Sequence, residues 1–271
     1  KMAILLLGAW TAALGAAAPN AWTAAGLAPH LARVPATLGW AEPTEIQRRC
    51  IAPILAGQDV IGQAATGSGK TGAYALPLIQ RLAEECAAWP SGGVRCLVLV
   101  PTRELCVQVA SAMRTIAAEA APQLRIGQVY GGTSRTAEVA ALANPPDVLV
   151  ATPGRLLDHI DSAGLSLPAC GVTSLVLDEA DRLLELGFFE AHTSPSSVTH
   201  TSFPSYTHLL PLLHTPPSLH THLLPLLQKA AVAILDELNP QQLIVFSATM
   251  PQPVIELVNA EMREPHRALL A

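Results

Sequence analysis

A glycine-rich loop reads Ala64-Ala65-Thr66-Gly67-Ser68-Gly69-Lys70-Thr71 and follows the short apolar segment Asp59-Val60-Ile61-Gly62. Glycines let a backbone wrap around phosphate oxygens with its N–H groups pointing inward. Lys70 is placed to reach the outer phosphates, and Thr71 to offer a hydroxyl to Mg²⁺ at the start of a helix predicted over residues 72–82. The predicted nucleotide contacts are Ala65, Thr66, Gly67, Ser68, Gly69, Lys70 and Thr71. Ala64 replaces the first glycine of the usual pattern, which leaves an ordinary turn before a lysine as the alternative.

An acidic tetrapeptide, Asp178-Glu179-Ala180-Asp181, closes the apolar run of residues 174–177. Such a run is typical of a buried parallel strand, and open α/β sheets bind ligands at the carboxyl ends of their strands. Asp178 is therefore placed to hold Mg²⁺, directly or through water, and Glu179 to orient or deprotonate a water that attacks a γ-phosphate. By itself the tetrapeptide is more typical of a solvated helix start. Together with the phosphate loop it favours ATP hydrolysis.

Three further apolar segments, at residues 94–100, 147–151 and 242–246, alternate with helical stretches. This alternation predicts an α/β fold with one parallel sheet and helices on both faces. Polar side chains follow these segments directly, so we expect them at the same edge of the sheet as the phosphate loop. They are Thr102, Arg103, Thr152, Arg155, Ser247 and Thr249.

The order of these motifs resembles that of the DEAD-box RNA helicases, specifically the first of their two RecA-like domains. The resemblance runs from about residue 22 to the C-terminus, apart from one segment. Besides the loop and the acidic tetrapeptide, it rests on segments similar to the Q motif, motif Ia, the glycine doublet, motif Ib and motif III. They read Gly39-Trp40-Ala41-Glu42-Pro43-Thr44-Glu45-Ile46-Gln47, Pro101-Thr102-Arg103-Glu104-Leu105, Gly131-Gly132, Thr152-Pro153-Gly154-Arg155 and Ser247-Ala248-Thr249.

The resemblance implies a role for each motif. Gln47 would read the adenine edge and Trp22 would stack on the base, although Gln47 alone reads more simply as a surface residue at a helix start. The implied catalytic residues are Lys70, Asp178 and Glu179, and the implied Mg²⁺ ligands are Thr71 and Asp178. The implied contacts to the RNA backbone are Thr102, Arg103, Gly132, Thr152 and Arg155. Asp181, Ser247 and Thr249 would couple the ATP state to the grip on RNA.

Two of these motifs have alternatives that the sequence leaves open. Arg103 could pair with Glu104 or with a neighbouring loop instead of RNA. The hydroxyls of Ser247 and Thr249 could simply cap the next helix.

The composition limits the kind of nucleic-acid site that is possible. The 271 residues carry a net charge of −5, and half of them are apolar, so a large core is available but a strongly basic surface is not. An RNA site must therefore be a local positive patch. The five cysteines form no CxxC pair, which indicates reduced intracellular thiols and no metal cluster.

Two segments depart from the pattern. Residues 1–21 form an apolar extension similar to a signal-peptide core, although a helical or unstructured extension is the favoured interpretation. Residues 192–227 form a low-complexity insertion within a domain spanning 22–271, rich in His, Thr, Ser, Pro and Leu and without a charged side chain. We interpret it as a translated non-coding stretch or a recent insertion, with a histidine-rich metal or partner loop as the alternative. Without it, residues 187–191 and 228–239 read as one helix.

The sequence thus predicts the ATP-binding half of an ATP-dependent RNA helicase or RNA chaperone, using ATP and Mg²⁺ on RNA without sequence preference. We expect an intracellular protein with no membrane partner. In the family, a second RecA-like domain supplies arginine fingers; it is expected to be missing from this chain, which should then turn over ATP weakly. The alternatives are a catalytically idle RNA- or protein-binding module and a faulty coding sequence with no stable product.

Overall fold

The computed structural model describes residues 20–85, 93–163, 171–185, 234–235, 238 and 240–270. Within them the chain forms a seven-stranded sheet in which every neighbouring pair of strands is parallel. The strands are β1 (Val60–Gln63), β2 (Cys96–Leu99), β3 (Ile126–Val129), β4 (Val148–Ala151), β5 (Ser174–Asp178), β6 (Gln242–Ser247) and β7 (His266–Leu269). Their spatial order is β3-β4-β2-β5-β6-β1-β7.

Helices make most of the connections between the strands. They are α1 (Ala21–Ala24), α2 (Val34–Thr37), α3 (Glu45–Leu55), α4 (Lys70–Glu85), α5 (Arg103–Ala120), α6 (Arg135–Leu142), α7 (Pro153–Ala163), α8 (Ala180–Glu185) and α9 (Gln252–Glu261). Local sequence explains where some of them begin. Thr44 and Gln47 form a capping box at the start of α3. The Thr102 hydroxyl accepts the N–H of Leu105 at the start of α5.

Two apolar layers hold the helices to the sheet. Helices α3, α4 and α5 bury Ile46, Ile79 and Met113 in one layer. Helices α8 and α9 bury Leu183 and Val254 in the other. Strands β2, β4, β5 and β6 are buried along their whole length, which explains why they read as continuous apolar runs. The predicted α/β fold, with a parallel sheet and helices on both faces, is confirmed.

A close approach between β1 and β6 shapes the centre of the sheet. Gly62 is the register partner of Phe246, and a Cβ added to Gly62 would lie 2.2 Å from Cε1 of Phe246. The absent side chain makes room for the phenyl ring, which is fully buried. Its centroid lies 5.5 Å from that of the Tyr74 ring, with 45° between the ring planes. The glycine therefore determines the surface against which Tyr74 packs.

The five predicted strands are present, with boundaries shifted by at most two residues. The sequence does not predict strands β3 and β7, because both lie at the edges of the sheet and lack a continuous apolar run. In β3 only Val129 is buried, and in β7 only Ala268. Helix α4 is longer than predicted at both ends, since the last loop residues already belong to it.

Several expectations fall outside the described residues. They concern residues 1–19 of the extension, the whole of 192–227, most of the helix proposed across that segment, and two cysteines, Cys86 and Cys170. The three cysteines that are described, Cys50, Cys96 and Cys106, are buried free thiols. Burial raises the pKa of each to about 12. In the described part of the chain, no helix combines the length and the apolar character needed to cross a membrane.

Candidate active site

The motifs meet at the carboxyl edge of the sheet, and the strand order sorts them into two halves. The phosphate loop follows β1, Ser247 ends β6 and Asp178 ends β5, and these three strands are neighbours. Motif Ia follows β2, motif Ib follows β4 and the glycine doublet follows β3, which are also neighbours. One half therefore gathers the predicted nucleotide contacts and the other the predicted RNA contacts, with β5 beside β2 at the boundary.

The phosphate loop is closed over its own lysine. Lys70 is 7% exposed and its Nζ donates to the carbonyl of Ala64 at 2.9 Å. Gly67 and Gly69 have φ angles of +82° and +94°, a region that glycine enters without strain. The buried Ser68 hydroxyl has no hydrogen-bond partner among the described residues. Unsatisfied donors within a loop of this shape suit incoming phosphate oxygens.

Gln47 links the Q-motif segment to the phosphate loop. It is 3% exposed; its Oε1 accepts the N–H of Thr44 at 2.8 Å and its Nε2 donates to the carbonyl of Gly69 at 3.0 Å. These bonds use one N–H and one lone pair of an amide that has two of each. The other N–H and lone pair suit the two-point edge of an adenine. The adenine contact itself stays a prediction.

Two tryptophans, Trp22 and Trp40, lie beside the start of α4. Trp22 is 2% exposed. It packs against Trp40, with ring centroids 6.4 Å apart. Trp40 is half-buried, and a Cβ added at Gly72 of α4 would lie 3.0 Å from its ring. Trp22 thus packs behind Trp40, and its stacking on a base stays a prediction.

The acidic motif begins with a carboxylate that is fixed at both oxygens. Asp178 is 2% exposed; its Oδ2 accepts the Tyr74 hydroxyl at 2.8 Å and its Oδ1 accepts the N–H of Glu179 at 3.0 Å. Burial raises the pKa of Asp178, and the Tyr74 hydrogen bond and the Lys70 charge oppose the rise. Burial, with the nearby Asp178 charge, raises the pKa of Tyr74 well above its usual range, so its hydroxyl stays a donor.

Glu179 occupies an uncommon backbone conformation at the turn from β5 into α8. Its φ angle is +53°, which costs a non-glycine residue free energy and is typical of functional sites. Its side chain is 15% exposed and its Oε2 lies 3.3 Å from Nη1 of Arg182. This turn places Glu179 beside Asp178 at the edge of the sheet, where a water next to the terminal phosphate would be positioned.

A magnesium ion fits the residues at this edge. Thr71 offers a hydroxyl and Asp178 a buried carboxylate, and hard oxygen donors of this kind are what Mg²⁺ prefers. Such a site normally has only one or two protein ligands, because phosphates and waters complete the octahedron. Among the described residues no group of three or more His, Cys, Asp or Glu could hold a metal alone.

Asp181 joins the acidic motif to motif III. Its Oδ2 accepts the Thr249 hydroxyl at 2.8 Å and the Thr249 N–H at 2.9 Å, and its own N–H donates to Oγ of Ser247 at 3.1 Å. Burial raises the pKa of Asp181, but these hydrogen bonds to the carboxylate outweigh it and the net pKa is lowered. Both motif III hydroxyls thus contact Asp181, as the resemblance implies.

We expect Asp181→Asn to flatten the acid side of the pH–stability profile. A folded-state pKa below the unfolded value gives stability that is complete above about pH 4 to 5 and is lost as the pH falls through the folded pKa. The amide does not titrate, so that slope should shrink. Urea unfolding between about pH 3 and pH 7 measures it. Glu119→Gln, at an exposed position, is the control, and an equal acid slope in both variants would contradict the assignment.

On the other half of the edge, motif Ia meets the glycine doublet. Gly132 has a φ of +96°, and a Cβ added to it would lie 2.4 Å from Nη1 of Arg103. The Arg103 guanidinium therefore lies over the bare backbone of the doublet. Thr102 precedes it as the N-cap of α5, and the Thr152 N–H donates to the carbonyl of Val129 at 3.0 Å. These four predicted RNA contacts lie at the ends of neighbouring strands.

Arg155, the fifth predicted RNA contact, belongs to a cluster around Glu138 of α6. Its Nε lies 2.7 Å from Glu138 Oε2, which also accepts a hydrogen bond from Nε2 of the fully buried His159 at 2.6 Å. The Thr133 hydroxyl donates to Oε1. Burial raises the pKa of Glu138, but hydrogen bonds from Thr133, His159 and Arg155 outweigh it and lower the pKa. No sequence pattern points to Glu138 as a partner of Arg155, because the two residues lie 17 positions apart.

We expect Glu138→Ala to lower the free energy of unfolding by about 2–3 kcal/mol, since it breaks the ion pair with Arg155 and leaves Nε2 of the buried His159 without its partner. Glu138→Gln keeps an acceptor and should cost less. Urea unfolding measures both changes. The exposed Glu104→Ala on α5 is the control, and a Glu138→Ala change no larger than the control's would show that the cluster does not stabilise the domain.

Comparison with known proteins agrees with this geometry. The family model described as DEAD/DEAH box helicase matches residues 44–257. ATP-dependent RNA helicase ddx54 of Dictyostelium discoideum is 35% identical over 228 residues, which are 84% of this chain and 17% of that protein. ATP-dependent RNA helicase DeaD of Escherichia coli K12 is 46% identical over 153 residues, which are 56% of this chain and 23% of that protein. The chain thus spans a quarter or less of these relatives.

Solved structures show the same fold. The RNA helicase Prp28 of Chaetomium thermophilum bound to ADP superposes with a TM-score of 0.70 at 30% identity, covering 93% of this chain and 51% of that one. A hypothetical ATP-dependent RNA helicase from Sulfolobus tokodaii gives 0.65 at 27% identity, covering 89% and 56%. The sheet is therefore a RecA-like helicase domain, and the chain belongs to the DEAD/DEAH box helicase family.

Proposed function

We propose that this chain is the ATP-binding half of an ATP-dependent RNA helicase or RNA chaperone, coupling ATP and Mg²⁺ binding to a sequence-independent grip on the RNA backbone. The observation that carries the proposal is the division of the carboxyl edge into a nucleotide half on β1, β5 and β6 and an RNA half on β2, β3 and β4. Its support also comes from relatives whose names describe ATP-dependent RNA helicases.

The nucleotide half works by positioning and charge. Opening of the phosphate loop releases Lys70 from Ala64, and its ammonium group then faces the outer phosphates. Thr71 and Asp178 would hold Mg²⁺, whose charge would offset the negative charge of the phosphates. Glu179 orients the attacking water and accepts its proton. These groups need little chemistry of their own, because phosphoryl transfer depends mainly on alignment and electrostatics.

The RNA half binds backbone and not bases. Arg103 and Arg155 present guanidinium groups to phosphates, and Thr102, Thr152 and the backbone at Gly132 supply further polar contacts. Asp181 joins the acidic motif to motif III: its carboxylate accepts hydrogen bonds from Thr249, and its N–H donates to Ser247. A change at the γ-phosphate that moves the acidic motif therefore moves motif III as well.

We expect Arg103→Glu to weaken single-stranded RNA binding about tenfold without altering nucleotide affinity, because it reverses a charge in the RNA half only. The slope of log affinity against log salt should also fall by about 0.7 for the lost phosphate contact. Fluorescence anisotropy with a labelled RNA measures both quantities. Arg263→Glu, an exposed residue at the opposite edge of the sheet, is the matched control. Equal RNA affinity in the two variants would show that Arg103 does not contact RNA.

Weak turnover is part of the proposal. An arginine finger supplied by a second domain is worth about 10³-fold or more in rate, and we place such a domain outside these 271 residues. The isolated chain should bind nucleotide yet hydrolyse ATP slowly, with or without RNA. Robust RNA-stimulated hydrolysis would refute the need for a second domain, and absence of nucleotide binding would favour an idle binding module.

A further inference from the structure

Tyr74 lies where the two predicted magnesium ligands converge. It follows Lys70 by four positions and Thr71 by three on α4, so all three side chains share one side of the helix. Its ring is fully buried, and its hydroxyl donates to Oδ2 of Asp178 at 2.8 Å. Tyr74 therefore joins the helix that begins at the phosphate loop to the first carboxylate of the acidic motif.

The position of this hydroxyl is rigid. The Tyr74 ring packs against Phe246, whose own place depends on the missing side chain of Gly62. The second oxygen of Asp178 is held by the N–H of Glu179 at 3.0 Å. The carboxylate is thus restrained at one oxygen by its own turn and at the other by a residue 104 positions away.

Packing alone does not explain why the side chain at position 74 carries a hydroxyl. A phenylalanine would fill the same space, whereas a hydroxyl in a fully buried position costs free energy unless it is hydrogen-bonded. Its partner here is a carboxylate that would face the metal. Partners of this kind orient metal ligands, and their loss typically reduces metal affinity 10- to 100-fold.

We propose that Tyr74 is a positioning residue of the magnesium site, which orients the Asp178 carboxylate toward the Mg²⁺ of a bound nucleotide. The inference rests on the proposed function, because it needs a nucleotide site with magnesium at this edge. It adds a residue that acts through Asp178 and does not itself touch the metal.

The test is the Mg²⁺ dependence of binding of a fluorescent ADP analogue to the 271-residue chain and to Tyr74→Phe. We expect the Mg²⁺ concentration for half-maximal enhancement to rise about tenfold in Tyr74→Phe. The affinity for the analogue in EDTA should stay within about twofold, because phenylalanine keeps the ring and leaves the phosphate loop intact. Tyr130→Phe removes a hydroxyl in the other half of the edge and should behave as the unmodified chain.

Three results would overturn the inference. An unchanged Mg²⁺ midpoint in Tyr74→Phe would show that the hydroxyl has no role in magnesium binding, and the proposed function would be unaffected. An equal loss of affinity in EDTA and in Mg²⁺ would show a purely structural role. If the unmodified chain binds no analogue at any Mg²⁺ concentration, the proposed function falls and the inference falls with it. Thermal unfolding of each variant without nucleotide shows whether the fold is retained.

Discussion

Lys70→Ala will reduce nucleotide affinity about a hundredfold, or ~2.7 kcal/mol, because it removes the ammonium group that faces the outer phosphates. Lys70 is almost fully buried, and its Nζ donates to a backbone carbonyl, that of Ala64. A buried ammonium group whose hydrogen-bond acceptor is neutral is well placed to bind an anion. Titration with a fluorescent ADP analogue in Mg²⁺ measures the change.

Two controls make the Lys70 result specific. Arg263→Ala removes a positive charge at the opposite edge of the sheet and should leave nucleotide affinity unchanged. Lys70→Arg keeps the charge but replaces a compact ammonium with a planar fork, so it should recover only part of the affinity. If Lys70→Ala binds the analogue as tightly as the unmodified chain, the loop does not hold phosphates and the proposed function is wrong.

Phe246→Ala will lower the free energy of unfolding by about 3–5 kcal/mol, a large share of a domain's total stability. The phenyl ring is fully buried, fills the space left by Gly62 and supports Tyr74. Its loss leaves a cavity between β1 and β6, and the surrounding parallel sheet can relax to fill only part of it. Urea unfolding measures the change, and Ile255→Ala, at a site 39% exposed, should stay within about 0.5 kcal/mol.

A double-mutant cycle tests the reason for this loss. Gly62→Ala in the unmodified chain forces a methyl group against the Phe246 ring and should itself cost about 1–3 kcal/mol. In the Phe246→Ala background the same methyl enters a cavity, so its cost should vanish or change sign. Strictly additive changes would show that the two side chains do not share this space.

The sequence predicted the central strands and the motifs that end them, because each is a short local pattern. The apolar run at residues 174–178 predicts a buried strand without reference to the rest of the chain. The glycines before Lys70 likewise predict the conformation of their own loop. Strands β3 and β7 escaped prediction because edge strands are only half covered and do not require a continuous apolar run. The stacking of Trp22 on a base rests on the family resemblance and stays a prediction.

Sequence by itself determined the family, the α/β fold and which residue types could bind phosphate, magnesium and RNA. Only the tertiary structure decided the strand order, in which β1, β5 and β6 form the nucleotide half and β2, β3 and β4 form the RNA half. It alone paired Tyr74 with Asp178, Thr249 with Asp181 and Glu138 with Arg155. The physical reason is range: loops and strands follow from neighbouring residues, whereas these pairs depend on packing between segments far apart in the chain.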